Sequence, residues 1–201
     1  MSVLSEAERP YIVGVGGTTK PGSSTEHALS VALGAAAALG CETRQFGGDF
    51  LAALPHYDPS AEVRSSEQLE FLTSVRRADG LILATPAYHA GVSGLVKNAL
   101  DLLQDTAGDA RPYLDGRAVG LLVTAYGWQA TGATLGSLRS IVHALRGWPT
   151  PLGVTLNTAS GSLFAPDGAC SEPRVADQLS TMARQVASFA ALQMHDGVVR
   201  P

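Results

Sequence analysis

The chain has 201 residues, 45% hydrophobic and 16% charged, a balance that yields a folded domain with a full-sized core and excludes a disordered polypeptide. Its net charge of −4, with Arg76 and Arg77 the only adjacent basic pair, excludes the basic surface that nonspecific nucleic-acid binding needs. Cys41 and Cys170 lack metal-site spacing, no apolar run approaches the ~20 residues of a membrane span, and the N-terminus has no signal-peptide pattern. One cytoplasmic domain over residues 1–201 is therefore expected, with no membrane partner, flexible ends at 1–10 and 196–201, and a Cys41–Cys170 disulfide left open.

Tyr11 to Gly16 reads as a first strand. Ser23, three residues before Glu26, has the capping-box pattern and opens a helix through Leu39, which Gly40 ends. Cys41 to Phe46 reads as a second, buried strand, and Gly47 to Ala61, with Pro55 and Pro59, as a loop. A second capping box, Ser65 to Gln68, starts a helix with Leu69, Leu72 and Val75 on one face, ending near Ala78. Leu81 to Thr85 is a third strand, apolar without alternation, as when helices cover both faces of a parallel sheet. A helix from Ser93 to Gln104, a polar loop to Gly116 and a fourth strand from Arg117 to Thr124 follow. Tyr126 to Gly132 reads as a loop before a helix carrying Leu135, Leu138, Ile141, Val142 and Leu145. Leu152 to Leu156 is a weaker fifth strand, Ser160 to Pro173 an irregular excursion, and Glu172 to Met194 a closing helix. This repetition predicts a three-layer parallel α/β sandwich. In the strand order 2-1-3-4-5, ligands bind at the carboxyl ends of the strands, at the switch between the first and third.

Two loops meet at that switch. In the first, Gly14 and Gly16 begin a dinucleotide fingerprint, but Thr19 stands at its third glycine, and the second strand ends Arg44-Gln45-Phe46 without an acid. Gly17 to Gly22 has Walker spacing, but Ser23 stands where the lysine belongs. What is left is a hydroxyl-rich loop at a helix N-terminus. Thr18, Ser23, Ser24 and Thr25 can donate hydrogen bonds, Lys20 offsets one negative charge, and the free amides and helix dipole attract an anion. That chemistry suits a phosphate monoester held without metal. Ser23 and Glu26 also suffice to cap the helix alone, a reading that gives Thr18 and Lys20 no role.

In the second loop Pro86 lacks an N–H and biases Thr85 away from the helical region, so the chain stays extended. Pro86, Ala87, Tyr88 and His89 then offer stacking and hydrogen bonding to a flat ring; Tyr88 also fits as a packing aromatic and His89 as a loop residue with no task. Ala125, Tyr126, Gly127 and Trp128 form a third loop, where a small residue permits close backbone approach and the aromatics suit a ring edge or a subunit contact. A phosphate plus a flat ring points to a mononucleotide, with FMN the candidate. His27, His56, His143 and His195 have no catalytic spacing, and no catalytic residue or metal ligand is assigned.

Gly17-Thr18-Thr19-Lys20-Pro21-Gly22-Ser23-Ser24-Thr25 fits the pattern G-x-x-[RK]-x-x-S-x-[NT]; Thr85-Pro86-Ala87-Tyr88 and Gly94-Leu95-Val96-Lys97-Asn98-Ala99-Leu100-Asp101 complete a second one. Together they resemble the NADPH-dependent FMN reductase family, over about residues 11–190. The resemblance implies a flavodoxin-like fold with a five-stranded parallel sheet and FMN at the strand ends. Thr18, Lys20, Ser23 and Thr25 would hold its phosphate, residues 86–89 would line the ring, and 125–128 its other edge. It further implies a homodimer or homotetramer and hydride transfer from NADPH or NADH to FMN, supplying reduced flavin to a partner monooxygenase. A bound-FMN quinone, azo-dye or chromate reductase is the alternative, and a flavodoxin-like electron carrier another. Lys20 stands for the commoner arginine, Thr25 for a frequent asparagine, and Tyr126-Gly127-Trp128-Gln129 for a loop usually richer in glycine, which leaves the substrate open.

Overall fold

Side-chain alternation along three central strands sorts the core into two halves. β1 (Tyr11–Gly16), β3 (Gly80–Tyr88) and β5 (Ala118–Ala125) turn Val13, Val15, Leu81, Leu83, Val119 and Leu121 to one face. Ile12, Ile82, Ala84 and Leu122 face the other way. Each strand is apolar on both sides because each side is roofed by helices. The computed structural model describes residues 9–159 and 161–195.

α1 (Ser24–Ala38) and α6 (Pro173–His195) cover one face, burying Leu29, Leu33, Leu179, Met182 and Val186 against Ile12, Ile82 and Leu122. α2 (Gly48–Ala53), α3 (Ser66–Arg77), α4 (Gly94–Asp101) and α5 (Trp128–Ala144) cover the other, with Leu51, Phe71, Leu72, Val96, Leu100, Leu138 and Val142. Small residues set how closely the first pair lies. A Cβ at Gly14 would fall 2.5 Å from Leu33 Cδ1, and one at Gly120 3.1 Å from Met182 and Val186.

With β2 (Glu42–Phe46) and β6 (Trp148–Asn157) at the edges, the parallel sheet runs β2-β1-β3-β5-β6. This is the expected flavodoxin-like order of five parallel strands. A sixth strand, β4 (Gly91–Val92), pairs antiparallel with the end of β3. The chain reverses between them through His89 and Ala90, both at positive φ (51° and 61°), as a two-residue type I′ connection requires.

Several expected boundaries move. The loop predicted from Gly47 contains α2, nucleated by packing: Phe50 meets Phe46 at 4.6 Å between ring centroids, and Leu51 is buried. β3 runs on through Pro86, which pairs with Thr124 across the sheet. α4 stops at Asp101, and a 3₁₀ turn covers Leu102–Thr106. α5 begins at Trp128, so the third loop is only about two residues long rather than reaching Gly132. β6 is longer than predicted because Pro149 and Pro151 sit on an edge strand, where a missing N–H leaves no neighbour unpaired. β2 is an edge strand that starts after Cys41 and is half-exposed rather than buried. Cys41 itself is buried, which together with Asp79 pushes its thiol pKa up, and both cysteines are free. Of the ends expected to be flexible, 1–8 and 196–201 lie outside the described residues; Pro10 is buried and its carbonyl accepts Glu42 N–H at 2.9 Å.

Candidate active site

The carboxyl ends of β1, β3, β5 and β6 open onto one cavity of about 360 Å³. Thr18, Lys20, Gly22, Ser23, Ser24 and Thr25 line one end of it, and Pro86, Ala87, Tyr88, Thr124, Ala125 and Tyr126 the other. The topology brings these segments together, since β1 and β3 are neighbours at the point where the strand order reverses.

The loop after β1 is held by its backbone. Gly17 adopts φ +132°, and a Cβ there would fall 2.6 Å from Gly48 N, so the loop lies directly on the start of α2. Thr18 Oγ1 accepts Lys20 N–H at 3.1 Å and donates to Lys20 O at 3.2 Å, closing a tight turn that leaves the lysine exposed. Ser23 Oγ accepts Glu26 N–H at 3.3 Å. The reciprocal half of the capping box is absent: the Glu26 carboxylate takes Gly22 N–H at 3.2 Å instead of the Ser23 amide. The amides of Ser23, Ser24 and Thr25 therefore have no hydrogen-bond partner among the described residues. Thr25 and Thr124 share a buried hydroxyl–hydroxyl bond of 2.6 Å that ties the start of α1 to the end of β5.

The ring-side segments are stiffer. Thr85 is buried; its hydroxyl donates to Pro86 O at 2.9 Å and accepts Ser93 N–H at 3.0 Å, fixing the end of β3 to the start of α4. Pro86 and Ala87 form a wall and Tyr88, 59% exposed, stands at the mouth. His89, at the tip of the β3–β4 turn, is not among the lining residues. Ala125 and Tyr126 reach the cavity, Tyr126 being 87% exposed. Gly127, the N-cap of α5, and Trp128, its first residue, lie outside the lining.

Four lining residues, Gly22, Thr124, Thr158 and Ser162, are not among those the sequence assigned to the site. Thr158 donates both N–H (2.9 Å) and Oγ1 (3.3 Å) to Ala125 O, and Ser162 follows it in the irregular segment. Thr158 directly follows β6, so the rule that ligands gather at strand carboxyl ends was the signal available for it. The motif residues of α4 do other work. Lys97 pairs with Asp101 at 2.7 Å on the surface, and Asn98 accepts Tyr57 N–H at 2.8 Å and donates to Pro55 O at 3.0 Å, pinning the segment between α2 and α3.

Among the described residues, Lys20 is the sole charged one lining the cavity, and no carboxylate or imidazole lines it. Among the described residues no group of three or more His, Cys, Asp or Glu could hold a metal ion, and no helix is long and apolar enough to cross a membrane. The arrangement is suited to bind and orient a ligand. Three unpartnered amides, hydroxyls and one cation at one end, and a proline–aromatic wall at the other, fit a phosphorylated flat ring system.

A family model described as NADPH-dependent FMN reductase matches residues 10–161. An NADPH azoreductase of Bacillus sp. (strain OY1-2) is 28% identical over 162 residues, 77% of this chain and 85% of that protein. An FMN reductase (NADPH) of Escherichia coli (strain K12) is 40% identical over 76 residues, 38% of this chain and only 33% of that protein. FerB, a flavoenzyme NAD(P)H:(acceptor) oxidoreductase from Paracoccus denitrificans, superposes with a TM-score of 0.72 at 18% identity, over 90% of this chain and 97% of its own. That likeness is one of fold.

Proposed function

From the premise that the chain belongs to the NADPH-dependent FMN reductase family, and is an NAD(P)H:flavin oxidoreductase, we propose that the 360 Å³ cavity is its FMN site. The observation that carries the assignment is the convergence of the loops after β1, β3 and β5 on one cavity whose sole lining charge among the described residues is Lys20. Ser23, Ser24 and Thr25 hold the phosphate through amides and hydroxyls, with Thr18 shaping the turn that presents Lys20. The α1 dipole adds positive potential at the same point. Pro86, Ala87, Ala125 and Thr124 bound the ring, and exposed Tyr88 and Tyr126 flank an open mouth through which a second planar molecule enters.

The chemistry that bound FMN supplies is hydride acceptance from a nicotinamide and delivery of the electrons to a second acceptor. The protein contributes placement: a stiff wall fixed by the Thr85 hydroxyl, and backbone donors fixed by the start of α1. Arg111 and Arg117 bond carbonyls at residues 76, 78, 113, 115 and 116, at the opposite, amino end of the central strands. Neither discriminates NADPH from NADH at this cavity.

Free FMN is the acceptor in this reading, and the reduced flavin serves a partner monooxygenase in the cytoplasm. The enzyme works as a homodimer or homotetramer, with Tyr126 and Trp128 (87% and 65% exposed) offering the apolar contact. A second reading is favoured by a relative that matches 77% of this chain, an azoreductase: FMN stays bound and an azo dye takes the electrons. Steady-state assays with NADH and with NADPH, each with and without free FMN, decide. Oxidation of the nicotinamide that requires added FMN and saturates with it supports the first reading; dye reduction by as-purified yellow protein without added FMN supports the second; a colourless protein that gains no flavin spectrum overturns both.

A further inference from the structure

The bond between Thr25 and Thr124 joins the two ends of the cavity. Thr25 belongs to the phosphate end, in the first turn of α1, where its amide has no partner among the described residues. Thr124 belongs to the ring end, where it lies beside Pro86 of β3 and Leu156 of β6 in the sheet. Both residues line the cavity and both are almost wholly buried, 2% and 5% exposed. A ligand with its phosphate at one end and its ring at the other carries its linking chain past this pair.

Packing alone does not call for hydroxyls here. Alternation along β5 puts Thr124 on the face of Gly120 and Leu122, under the apolar layer of Leu29, Leu179 and Met182. A hydroxyl buried against such a layer is costly unless its hydrogen bonds are made. The other threonines around the cavity make theirs internally. Thr85 donates to Pro86 O and accepts Ser93 N–H, Thr131 donates to Trp128 O, and Thr158 donates to Ala125 O. Thr25 and Thr124 have two hydroxyl protons and one mutual bond of 2.6 Å, so one proton is left without an acceptor among the described residues.

Either oxygen can donate in that bond, which gives the pair two settings. When Thr124 donates, Thr25 keeps a proton for the phosphate end and Thr124 keeps lone pairs for the ring end. When Thr25 donates, the roles reverse. A phosphate monoester near neutral pH is chiefly an acceptor, so an anion beside Thr25 selects the first setting. Thr124 Oγ1 then faces the linking chain as an acceptor, and a polyol hydroxyl is the donor that fits it. Resting on the FMN reading, we propose that Thr25 and Thr124 form a hydroxyl relay that couples the two halves of the cavity. Phosphate at the α1 end turns Thr124 into the acceptor for a hydroxyl of the ribityl chain. Thr124 is thereby a positioning residue: it fixes the tether of the ring, and with it the seat of the ring against Pro86.

The test is equilibrium titration of the flavin-free full-length chain, followed by flavin fluorescence, with FMN, riboflavin and lumiflavin, the last having the ring without the ribityl chain. The variants are Thr124→Val, Thr25→Val, the double variant and Thr124→Ser. Thr124→Val should lower FMN affinity about tenfold and riboflavin affinity about threefold, and leave lumiflavin unchanged. Thr25→Val should lower FMN affinity about tenfold and leave riboflavin unchanged. The double variant, which leaves no hydroxyl of the pair orphaned and so keeps the fold, should lose about twentyfold for FMN, well short of the roughly hundredfold that independent groups would lose. Thr124→Ser keeps the hydroxyl and should stay within about twofold of the wild type for FMN. Equal losses of FMN and lumiflavin in Thr124→Val mark a packing defect and overturn the inference. So do fully additive losses in the double variant, and a Thr124→Ser as weak as Thr124→Val. Unchanged FMN affinity in Thr124→Val overturns the relay and leaves the FMN reading standing; a wild type that binds none of the three flavins overturns both.

Discussion

The two ends of the sheet satisfy their backbones in opposite ways. At the amino end, Arg117 is buried and donates to three carbonyls: Ala78 O through Nε at 2.8 Å, Tyr113 O through Nη1 at 3.0 Å, and Arg76 O through Nη2 at 2.8 Å. Arg111 adds bonds to Ala78 O, Asp115 O and Gly116 O. Burial, with Arg111 beside it, pulls the Arg117 guanidinium down to about 9, which keeps it charged at neutral pH. At the carboxyl end three consecutive amides have no partner among the described residues, Lys20 is the charged residue among those lining the cavity, and the Glu26 carboxylate is turned to Gly22 N–H beside it. The comparison separates holding from binding. Internal donors saturate the carbonyls at one end, while donors at the other are left for a ligand.

Substitutions at the two ends should therefore fail in different assays. The largest effect belongs to Arg117→Ala, which removes the guanidinium from Tyr113 O and Arg76 O and leaves Ala78 O to Arg111 alone, and should cost about 3–5 kcal/mol in urea unfolding. The FMN affinity of the fraction that stays folded should be unchanged. Next is Ser23→Asp. Asp caps a helix as well as Ser, so the melting temperature holds, but a fixed negative charge at the phosphate should lower FMN affinity about thirtyfold in a fluorescence titration. Asn98→Ala should cost about 1–2 kcal/mol by freeing Tyr57 N–H and leaving Pro55 O only the longer bond from Gln68, again without moving FMN affinity. That outcome would sharpen the division, because Asn98 belongs to the second of the two sequence motifs. Lys20→Met should be smallest, about fivefold in FMN affinity at low ionic strength and vanishing in high salt, because the side chain is exposed.

The sheet order and both helical layers were legible because apolar runs of strand length recur between helix-period segments. The box at Ser65 closes in both directions, as its Ser and Gln predict, with Ser65 N–H donating to Gln68 Oε1 at 2.9 Å and Gln68 N–H to Ser65 Oγ at 3.2 Å. The box at Ser23 closes in one direction only, and no local pattern tells the two apart; Glu26 is drawn to Gly22 by the turn that Thr18 builds. α2 was illegible because six residues carry too little periodicity, and the contact that fixes it, Phe50 on Phe46, is tertiary. The α4 motif was legible as a pattern, yet its Lys97 and Asn98 brace the scaffold, while the cavity is lined also by Thr124 and Thr158, marked only by their places at strand carboxyl ends, and by Ser162, which no motif marks. Motif strength reported the family; only the three-dimensional arrangement sorted ligand-facing residues from bracing ones.

The most direct test of the binding end is a paired titration of the flavin-free protein with FMN and with riboflavin, which differ by the phosphate alone. The amides and hydroxyls at residues 23–25, with Lys20, predict that FMN binds about a hundredfold tighter, and that Ser23→Asp removes most of that difference without weakening riboflavin. Equal affinity for the two flavins, or a preference that survives Ser23→Asp undiminished, would contradict the assignment of that loop to the phosphate.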